Sequence, residues 1–317
     1  MSKKKVDHYP SANALVALQA MAGEKASADR TEKAWRTIAR AADNPDAHAV
    51  LDFAMENGLA SACEQIDPLA PNITWTNPID GSEMVWIPPG PFVYGKLGNT
   101  AECAGFSLGR HPVTNKQFSR FMGETFYGPD PDHPDSEQFV AHWAGGEIPK
   151  GKADHPVVNV SMFDAMAYCR WAGGSLPGEW QWEKAARGPD GRTYPWGEFP
   201  PGGKIKFAQL DARDTCAVGT FAKVRTAYGC EDMVGNVSEW TYPLPAKHPV
   251  GAFPPANQSL PVPVGGVHKN RTIVRGACFL RSGVNTVKAT YRRQLATTRR
   301  NHWTGFRLAV LLPCRPV

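Results

Sequence analysis

The sequence predicts an α+β protein in which a small helical region precedes one large, turn-rich domain. Apolar residues recur at helical spacing between residues 11 and 60, whereas short strand-like runs separated by turns dominate after residue 75. The 317 residues include 30 glycines, 28 prolines and 10 tryptophans. That composition is typical of a loop-rich fold packed around aromatic side chains, and not of a helical bundle.

The first 75 residues form the predicted helical region and its linker. Apolar faces that include Leu15, Trp35 and Phe53 each fit one short helix. Between residues 63 and 80 the sequence is rich in Pro, Asn, Thr and Asp, which indicates an irregular linker or an edge strand. We therefore expect a helical region over 1–75, through which the chain could form oligomers, and a second domain over 76–317.

Strands and three helices are predicted at the start of the second domain. A strand over 84–87 runs into a Pro-Pro-Gly turn and continues at 92–94. Thr114 is a suitable N-cap for a helix that has Phe118 and Phe121 on its apolar face. Two further helices are predicted over 161–171 and 177–187.

Charge is distributed unevenly along the chain. The net charge is +5, yet no Asp or Glu follows Glu239, and the last 78 residues hold twelve Lys and Arg side chains. Such segregation either pairs two parts of one fold or creates a positive field for an anionic partner.

The sequence also predicts where the protein resides. The basic N-terminus has no apolar run behind it, and no stretch approaches the length of about 18 apolar residues that a membrane span needs. Seven cysteines without CxxC spacing argue against a disulfide framework. We therefore expect a cytoplasmic protein with no membrane span.

Five sequence blocks, in order, resemble a known enzyme family. The blocks are HPVTNKQFSRFM (111–122), the run from HPVVNV to YPWG (155–197), YGCEDMVGNVSEWT (228–241), VRGACF (274–279) and TGFRLAV (304–310). Together they are similar to the successive blocks of the formylglycine-generating-enzyme family, the sulfatase-modifying factors. The resemblance covers roughly residues 84–310 and implies that family's irregular C-type-lectin-like α+β fold.

Two carboxylates in the second block have two interpretations. Glu179 and Glu183 lie four residues apart on one helical face, and paired carboxylates can perform acid–base chemistry. Buried arginines need fork-shaped acceptors, however, so we expect both glutamates to be structural partners of arginines in the C-terminal half. Arg275 and Arg307 are expected to form internal salt bridges. The cations outside the family blocks are expected to be free: Arg281, Arg293, Arg299 and Arg300.

The third block resembles a calcium-binding turn of the family. The resemblance implies that Asp232 and Glu239 supply carboxylates and that Gly235 and Val237 supply backbone carbonyls, which is the oxygen-rich set that Ca²⁺ prefers. We predict a structural Ca²⁺ here. In the alternative interpretation Asp232 and Glu239 cap the turn and bind an arginine.

The resemblance also implies a copper site held by two cysteines, whose positions fall on Arg281 and Thr286. Neither side chain replaces a thiolate, and a guanidinium repels a metal cation. We therefore expect no copper and no formylglycine formation, and nothing indicates haem or a nucleotide. Cys278 is the remaining thiol nearby, and a lone cysteine on a strand is more often a small buried hydrophobe than a nucleophile.

Receptor proteins diversified by retroelements use the same scaffold and, by this resemblance, carry their variable face between the last two blocks. Here that segment, residues 279–303, mixes aromatic, small and basic residues, a composition that suits a recognition surface. We call it the C-terminal window. The predicted ligand-binding residues are Cys278, Phe279, Arg281, Asn285, Thr286, Tyr291, Arg293, Asn301, His302 and Trp303.

Three functions remain open at this level. The first is a non-catalytic protein, with no catalytic residue, that binds a protein, a glycan or an anionic ligand through the C-terminal window. The second is an oxidoreductase or tailoring enzyme with a non-copper mechanism and a concave pocket around Cys278. The third is an accessory subunit that serves as a scaffold for the N-terminal helices.

Overall fold

A computed structural model describes residues 74–103, 105–143, 145–200, 213–242, 271–281 and 283–310. The predicted N-terminal helices and most of the predicted linker lie outside these residues. Within this part of the chain no helix is long and apolar enough to cross a membrane.

The described elements are ten short strands and three α-helices. The strands are β1 (Thr74–Thr76), β2 (Glu83–Ile87), β3 (Gly90–Tyr94), β4 (Asn99–Cys103), β5 (Phe106–Gly109), β6 (Ser238–Trp240), β7 (Arg271–Arg275), β8 (Arg292–Ala296), β9 (Thr304–Gly305) and β10 (Ala309–Val310). The helices are α1 (Asn115–Thr125), α2 (Met162–Trp171) and α3 (Glu179–Arg187). A 3₁₀ turn spans Ser136–Gln138.

The strands form two four-stranded sheets and one hairpin. The first sheet has the order β1-β2-β5-β10 and the second β8-β7-β6-β9, while β3 and β4 pair only with each other. In the first sheet β10 pairs antiparallel with β5, so that Ala309 lies opposite Leu108. The end of the described chain therefore completes a sheet that begins at residue 74.

Helices α1 and α2 begin where the sequence predicts, and each begins with a capping box. Thr114 and Gln117 cap α1 reciprocally, and Ser161 and Asp164 cap α2 in the same way. The N-cap side chains satisfy backbone N–H groups that have no partner within the helix.

Helix α3 departs from the amphipathic pattern because every residue from Glu179 to Arg187 is buried. It packs between the β3–β4 hairpin and β7. Its charged residues therefore need partners inside the fold. Lys184 donates to the carbonyl oxygens of Pro88 at 2.7 Å and Gly90 at 3.1 Å, and burial lowers the pKa of Lys184.

An aromatic cluster joins α1 and α2 to the last family block. Phe118 on α1 stacks on Tyr168 of α2 with ring centroids 5.9 Å apart, and Phe306 contacts Tyr168 edge-on at 5.4 Å. All three rings are buried. This core fixes the segment that follows the C-terminal window.

Candidate functional site

The C-terminal window lies between β7 and β9, and side-chain contacts join its separate segments. The rings of Phe279 and His302 are 6.1 Å apart. The guanidinium of Arg293, on β8, lies 4.5 Å from the ring centroid of Trp303, a cation–π distance. The residues that follow β7, the strand β8 and the residues that precede β9 therefore meet in one region.

Cys278 and Phe279 are buried at the base of this region, with 2% and 1% of their surface exposed. The Phe279 N–H donates to the carbonyl oxygen of Asn236 at 3.0 Å, which attaches the window to the turn before β6. Burial raises the pKa of the Cys278 thiol, and Arg281 and Ser238 lower it by smaller amounts. Both side chains were predicted to contact the ligand, but they are buried and support the surface from beneath.

Arg281, Asn285 and Thr286 belong to a loop made of two successive turns. The Arg281 N–H donates to Cys278 O at 3.0 Å, and the Thr286 N–H donates to Gly283 O at 2.7 Å. The Thr286 hydroxyl donates to the same carbonyl at 2.7 Å. Arg281 and Asn285 are exposed, whereas Thr286 is half-buried.

The remaining predicted residues differ in their exposure. His302 is exposed, while Tyr291, Arg293 and Trp303 are half-buried. Asn301 is buried, and its side-chain oxygen accepts from the Trp303 N–H at 3.1 Å. The Asn301 side-chain nitrogen has no hydrogen-bond partner among the described residues. Asn301 thus orients Trp303 from inside the fold.

The expected pairs between buried arginines and carboxylates are present. Arg275 binds Glu179 at 3.1 Å and Glu183 at 2.7 Å, and Arg292 also binds Glu179. Arg307 forms a bidentate pair with Glu239, with both N···O distances at 2.7 Å. Glu179 and Glu183 are therefore structural partners, and their carboxylates are occupied.

Two of the four arginines expected to be free are paired. Arg300 is buried, and its guanidinium binds both oxygens of Asp164 at 2.8 and 2.9 Å. Arg299 lies 3.5 Å from Asp135. Sequence reasoning missed these pairs because the acids lie more than 130 positions earlier in the chain. The only hint in the sequence about Asp164 was its position as the N3 residue of the capping box that begins at Ser161.

The turn over residues 232–239 fits a hard cation in part. Asp232 is buried, has a positive φ of 55°, and its Oδ2 atom has no hydrogen-bond partner among the described residues. Burial raises the pKa of Asp232 to about 6. The nearby Arg307 charge and a backbone hydrogen bond from Gly219 lower this pKa by smaller amounts. A buried carboxylate with one unpartnered oxygen suits a cation.

Glu239, by contrast, behaves as the alternative interpretation predicts. Its two oxygens accept from Arg307, and Oε2 also accepts from the Trp182 indole N–H at 2.8 Å. Its carboxylate is thus neutralised by a guanidinium. No group of three or more His, Cys, Asp or Glu side chains in the described residues has metal-binding geometry, so ligation by carbonyls of Gly235 and Val237 stays a prediction.

A polar cleft of about 460 Å³ lies elsewhere on the molecule. Its lining includes Asp80, Glu83, His111, Lys116, Arg120 and Asp154. His111 Nε2 lies 3.1 Å from Glu231 Oε2. None of the lining residues belongs to the C-terminal window or is Cys278.

Sequence reasoning missed two exposed aliphatic side chains within the window. Leu280 and Val284 are 46% and 52% exposed and flank Arg281. Both lie in the loop that contains Gly283. The signal in the sequence was an aliphatic residue on each side of a turn glycine, where polar residues are the usual choice.

Short strands, three helices, buried arginine–carboxylate pairs and a loop-built surface define a mixed α+β domain of the formylglycine-generating-enzyme fold. The chain belongs to the family of sulfatase-modifying factor enzyme 1-like domains, whose model matches residues 73–312. The match covers all the strands and helices described above.

Curated relatives include enzymes. The chain is 31% identical over 267 residues to hercynine oxygenase of Mycolicibacterium smegmatis, covering 71% of this chain and 60% of that protein. It is 31% identical over 221 residues to the formylglycine-generating enzyme of Mycobacterium tuberculosis, covering 50% of this chain and 73% of that protein. The chain therefore spans less than two thirds of the length of the first of these relatives.

Among solved structures, variable protein 1 of Treponema denticola has a similar fold. It superposes with a TM-score of 0.50 and 19% identity, covering 75% of this chain and 98% of that protein. At this level of identity the likeness concerns the fold alone.

Proposed function

We propose that this protein is a non-catalytic ligand-binding protein that presents the C-terminal window to a protein, a glycan or an anionic ligand. The observation that carries the proposal is the surface formed by exposed Arg281, Asn285 and His302 beside the stacked Arg293–Trp303 pair. Arginine and aromatic side chains dominate the binding energy of recognition surfaces.

The surroundings of Cys278 support a binding role over catalysis. Cys278 and Phe279 fill the base of the window, and the raised pKa of the Cys278 thiol keeps it protonated near neutral pH. A protonated, buried thiol is a poor nucleophile and a poor metal ligand. We also interpret Arg281 and Thr286 as the residues at the family's copper-binding positions, where neither supplies a thiolate.

Diversification by a retroelement is part of this proposal. The likeness in fold to a protein named a variable protein supports it. The expected observation is a reverse-transcriptase gene near this one, with a repeated template copy of residues 275–307. A genome without such a template would contradict diversification, and the proposed binding protein would then have a surface of fixed sequence.

Binding arrays test the proposal directly. The full chain and the variant R281A/N285A/H302A are applied to a glycan array, a displayed peptide library and immobilised nucleic acids. K96A/K150A, which changes two exposed lysines outside the window, is the matched control. We expect at least one ligand whose Kd rises tenfold or more in the window variant only. Equal binding by all three proteins would show that the window does not bind the ligand.

A tailoring oxidoreductase is the second candidate, because relatives at 31% identity are named as oxygenase and formylglycine-generating enzyme. Oxygen consumption is measured with a cysteine-containing peptide or with hercynine, the compound named in the Mycolicibacterium smegmatis relative, after loading with Cu(I) or Fe(II). The Mycobacterium tuberculosis relative serves as the positive control for copper. Substrate-dependent oxygen uptake that exceeds the amount of bound metal would favour the enzyme over the binding protein.

We also propose a structural Ca²⁺ at the turn over residues 232–239. The unpartnered Oδ2 atom of Asp232 supports it, with backbone carbonyls of Gly235 and Val237 as the other ligands and Glu239 held by Arg307. Bound Ca²⁺ supplies charge neutralisation for the buried Asp232. Calcium is expected to raise the Tm of the wild type and to leave that of D232N unchanged, and a rise in both would place the ion elsewhere.

A further inference from the structure

We propose that the C-terminal window binds an acidic protein segment that carries a large apolar side chain. The inference rests on the proposed function, since it names the class of ligand for the same surface. It follows from the exposed side chains of the loop over 280–287, from the charge left unpaired around it, and from the way the loop is held.

The loop exposes apolar surface next to a cation. Leu280 and Val284 are 46% and 52% exposed, and Arg281 lies between them in the sequence and is exposed as well. Exposed Leu97, Phe126 and Phe199 occur singly in other segments, and scattered apolar residues of that kind are ordinary. Two aliphatic side chains that flank one exposed arginine offer both apolar contact and a guanidinium to the same ligand.

The number of unpaired charges fits a peptide better than a nucleic acid. In the described chain after Glu239, Arg275, Arg292, Arg299, Arg300 and Arg307 all bind carboxylates. Arg271, Arg281, Lys288 and Arg293 form no ion pair with another described residue, and the last three of them lie in the window. Nucleic-acid binding uses roughly 6–10 phosphate contacts. The three unpaired cations of the window are too few for that, but they are enough to pair with a few Asp or Glu side chains of a peptide.

The composition of the window also disfavours a neutral glycan. The window has no Asp or Glu, so its side-chain acceptors for sugar hydroxyls are neutral groups such as that of Asn285, and Arg and Lys are donors only. One face of the Trp303 ring, on which a sugar could stack, lies against the Arg293 guanidinium, 4.5 Å from the ring centroid. The donors in this surface therefore call for an acceptor-rich ligand such as a carboxylate.

The loop is organised before a ligand binds. Its start is held by the Phe279 N–H to Asn236 O bond at 3.0 Å, and its end by the Val287 N–H to Gly283 O bond at 3.2 Å, with the Val287 side chain buried. A loop with fixed ends loses less conformational entropy on binding. Leu280 and Arg281 thus follow a residue whose backbone is held, and Val284 lies in a turn that is closed by its own hydrogen bond.

Peptide-display selection tests the inference. A library of random 12-residue peptides is selected on the wild-type full chain, on R281E, on L280S/V284S, and on the control K96E, which reverses an exposed charge on the β3–β4 hairpin. We expect the wild type and K96E to select peptides rich in Asp or Glu with a Leu, Ile, Phe or Trp. R281E is expected to lose these peptides or select basic ones, and L280S/V284S to weaken binding of a wild-type-selected peptide at least tenfold.

Parallel arms separate failure of the inference from failure of the proposed function. All four proteins are also applied to a glycan array and to single- and double-stranded DNA and RNA, with thermal unfolding as the control for folding. Peptides without a charge preference, or the same peptides from R281E, would overturn the inference. Window-dependent binding of a glycan or nucleic acid would overturn it while supporting the proposed function. No window-dependent ligand in any arm would overturn both.

Discussion

At the scale of single residues, the protein is organised by buried charges whose partners decide their roles. Arg307 uses its whole guanidinium, binding Glu239 and the carbonyl oxygens of Gly109, Arg110 and Glu231. Asp232, close to the same region, is buried without a full set of partners. Arg307 therefore stabilises the fold through several partners, whereas the buried Asp232 carboxylate is poised to bind a cation or a proton.

Removing the guanidinium of Arg307 is expected to destabilise the fold severely. R307A leaves the buried Glu239 carboxylate without its main partner, a change that costs about 3–5 kcal/mol for a buried ion pair. Urea-induced unfolding followed by tryptophan fluorescence measures the free energy of unfolding. R281A, which removes an exposed arginine, is the control and is expected to change it by less than about 0.5 kcal/mol. Similar values for both variants would contradict the assigned burial.

Asp232 predicts an unusual pH dependence. Burial raises its pKa from 3.8 to about 6, so between these values the folded state holds a proton that the unfolded state has released. The free energy of unfolding therefore falls as pH rises from 4 to 6. In EGTA at pH 7.5, D232N is expected to be more stable than the wild type by up to about 3 kcal/mol, at 1.36 kcal/mol per pKa unit.

That gain should disappear near pH 4, where the wild-type carboxyl is protonated. Urea unfolding at both pH values provides the measurement, and D132N, which alters an exposed aspartate, is expected to show no such pH-dependent difference. A D232N variant that is less stable than the wild type at pH 7.5 would show that the Asp232 carboxylate is well satisfied in the fold.

At the scale of elements, the junction between β7 and the C-terminal window depends on one glycine. Gly276 has a φ of +74°, and a Cβ atom there would lie 2.8 Å from the backbone oxygen of Met233. Its carbonyl oxygen also accepts from the Ser238 hydroxyl at 2.9 Å. The backbone of β7 can therefore turn into the window only at a residue without a side chain.

G276A is expected to combine left-handed strain with this close contact and to lower the free energy of unfolding by about 2 kcal/mol or more. G283A is the matched control, since its nearest atom would be the Thr286 hydroxyl at 3.5 Å and its φ lies outside the left-handed region. Thermal or urea unfolding distinguishes them. A G276A variant as stable as G283A would mean that β7 and the turn of Met233 separate at little cost.

At the scale of the whole molecule, the basic C-terminal quarter is inserted into an acidic framework. The carboxylates of Asp164, Glu179, Glu183 and Glu239 all receive arginines from residues 275–307. Strand β10 then pairs with β5 in the first sheet. Five of the nine cations that the structure describes after Glu239 are thus paired with carboxylates inside one fold, and the other four remain for a ligand.

Truncation tests this dependence. A chain that ends at residue 303 lacks β9, Arg307 and β10, and it is expected to lose its cooperative unfolding transition because both sheets lose an edge strand and Glu239 loses its partner. A chain that ends at residue 310 retains all three and serves as the control, with a cooperative transition expected. Differential scanning calorimetry compares the two, and cooperative unfolding of the shorter chain would contradict a shared core.

The sequence by itself determined the α+β class, the starts of α1 and α2, the family, and the pairing of Arg275 and Arg307 with carboxylates. Those features follow from local capping patterns and from motifs of fixed spacing. Only the tertiary structure decided that Arg300 is buried while Arg281 is exposed, and that Glu239 is bound to Arg307. The physical reason is that an arginine's environment depends on carboxylates that folding brings from far along the chain, such as Asp164, 136 positions before Arg300.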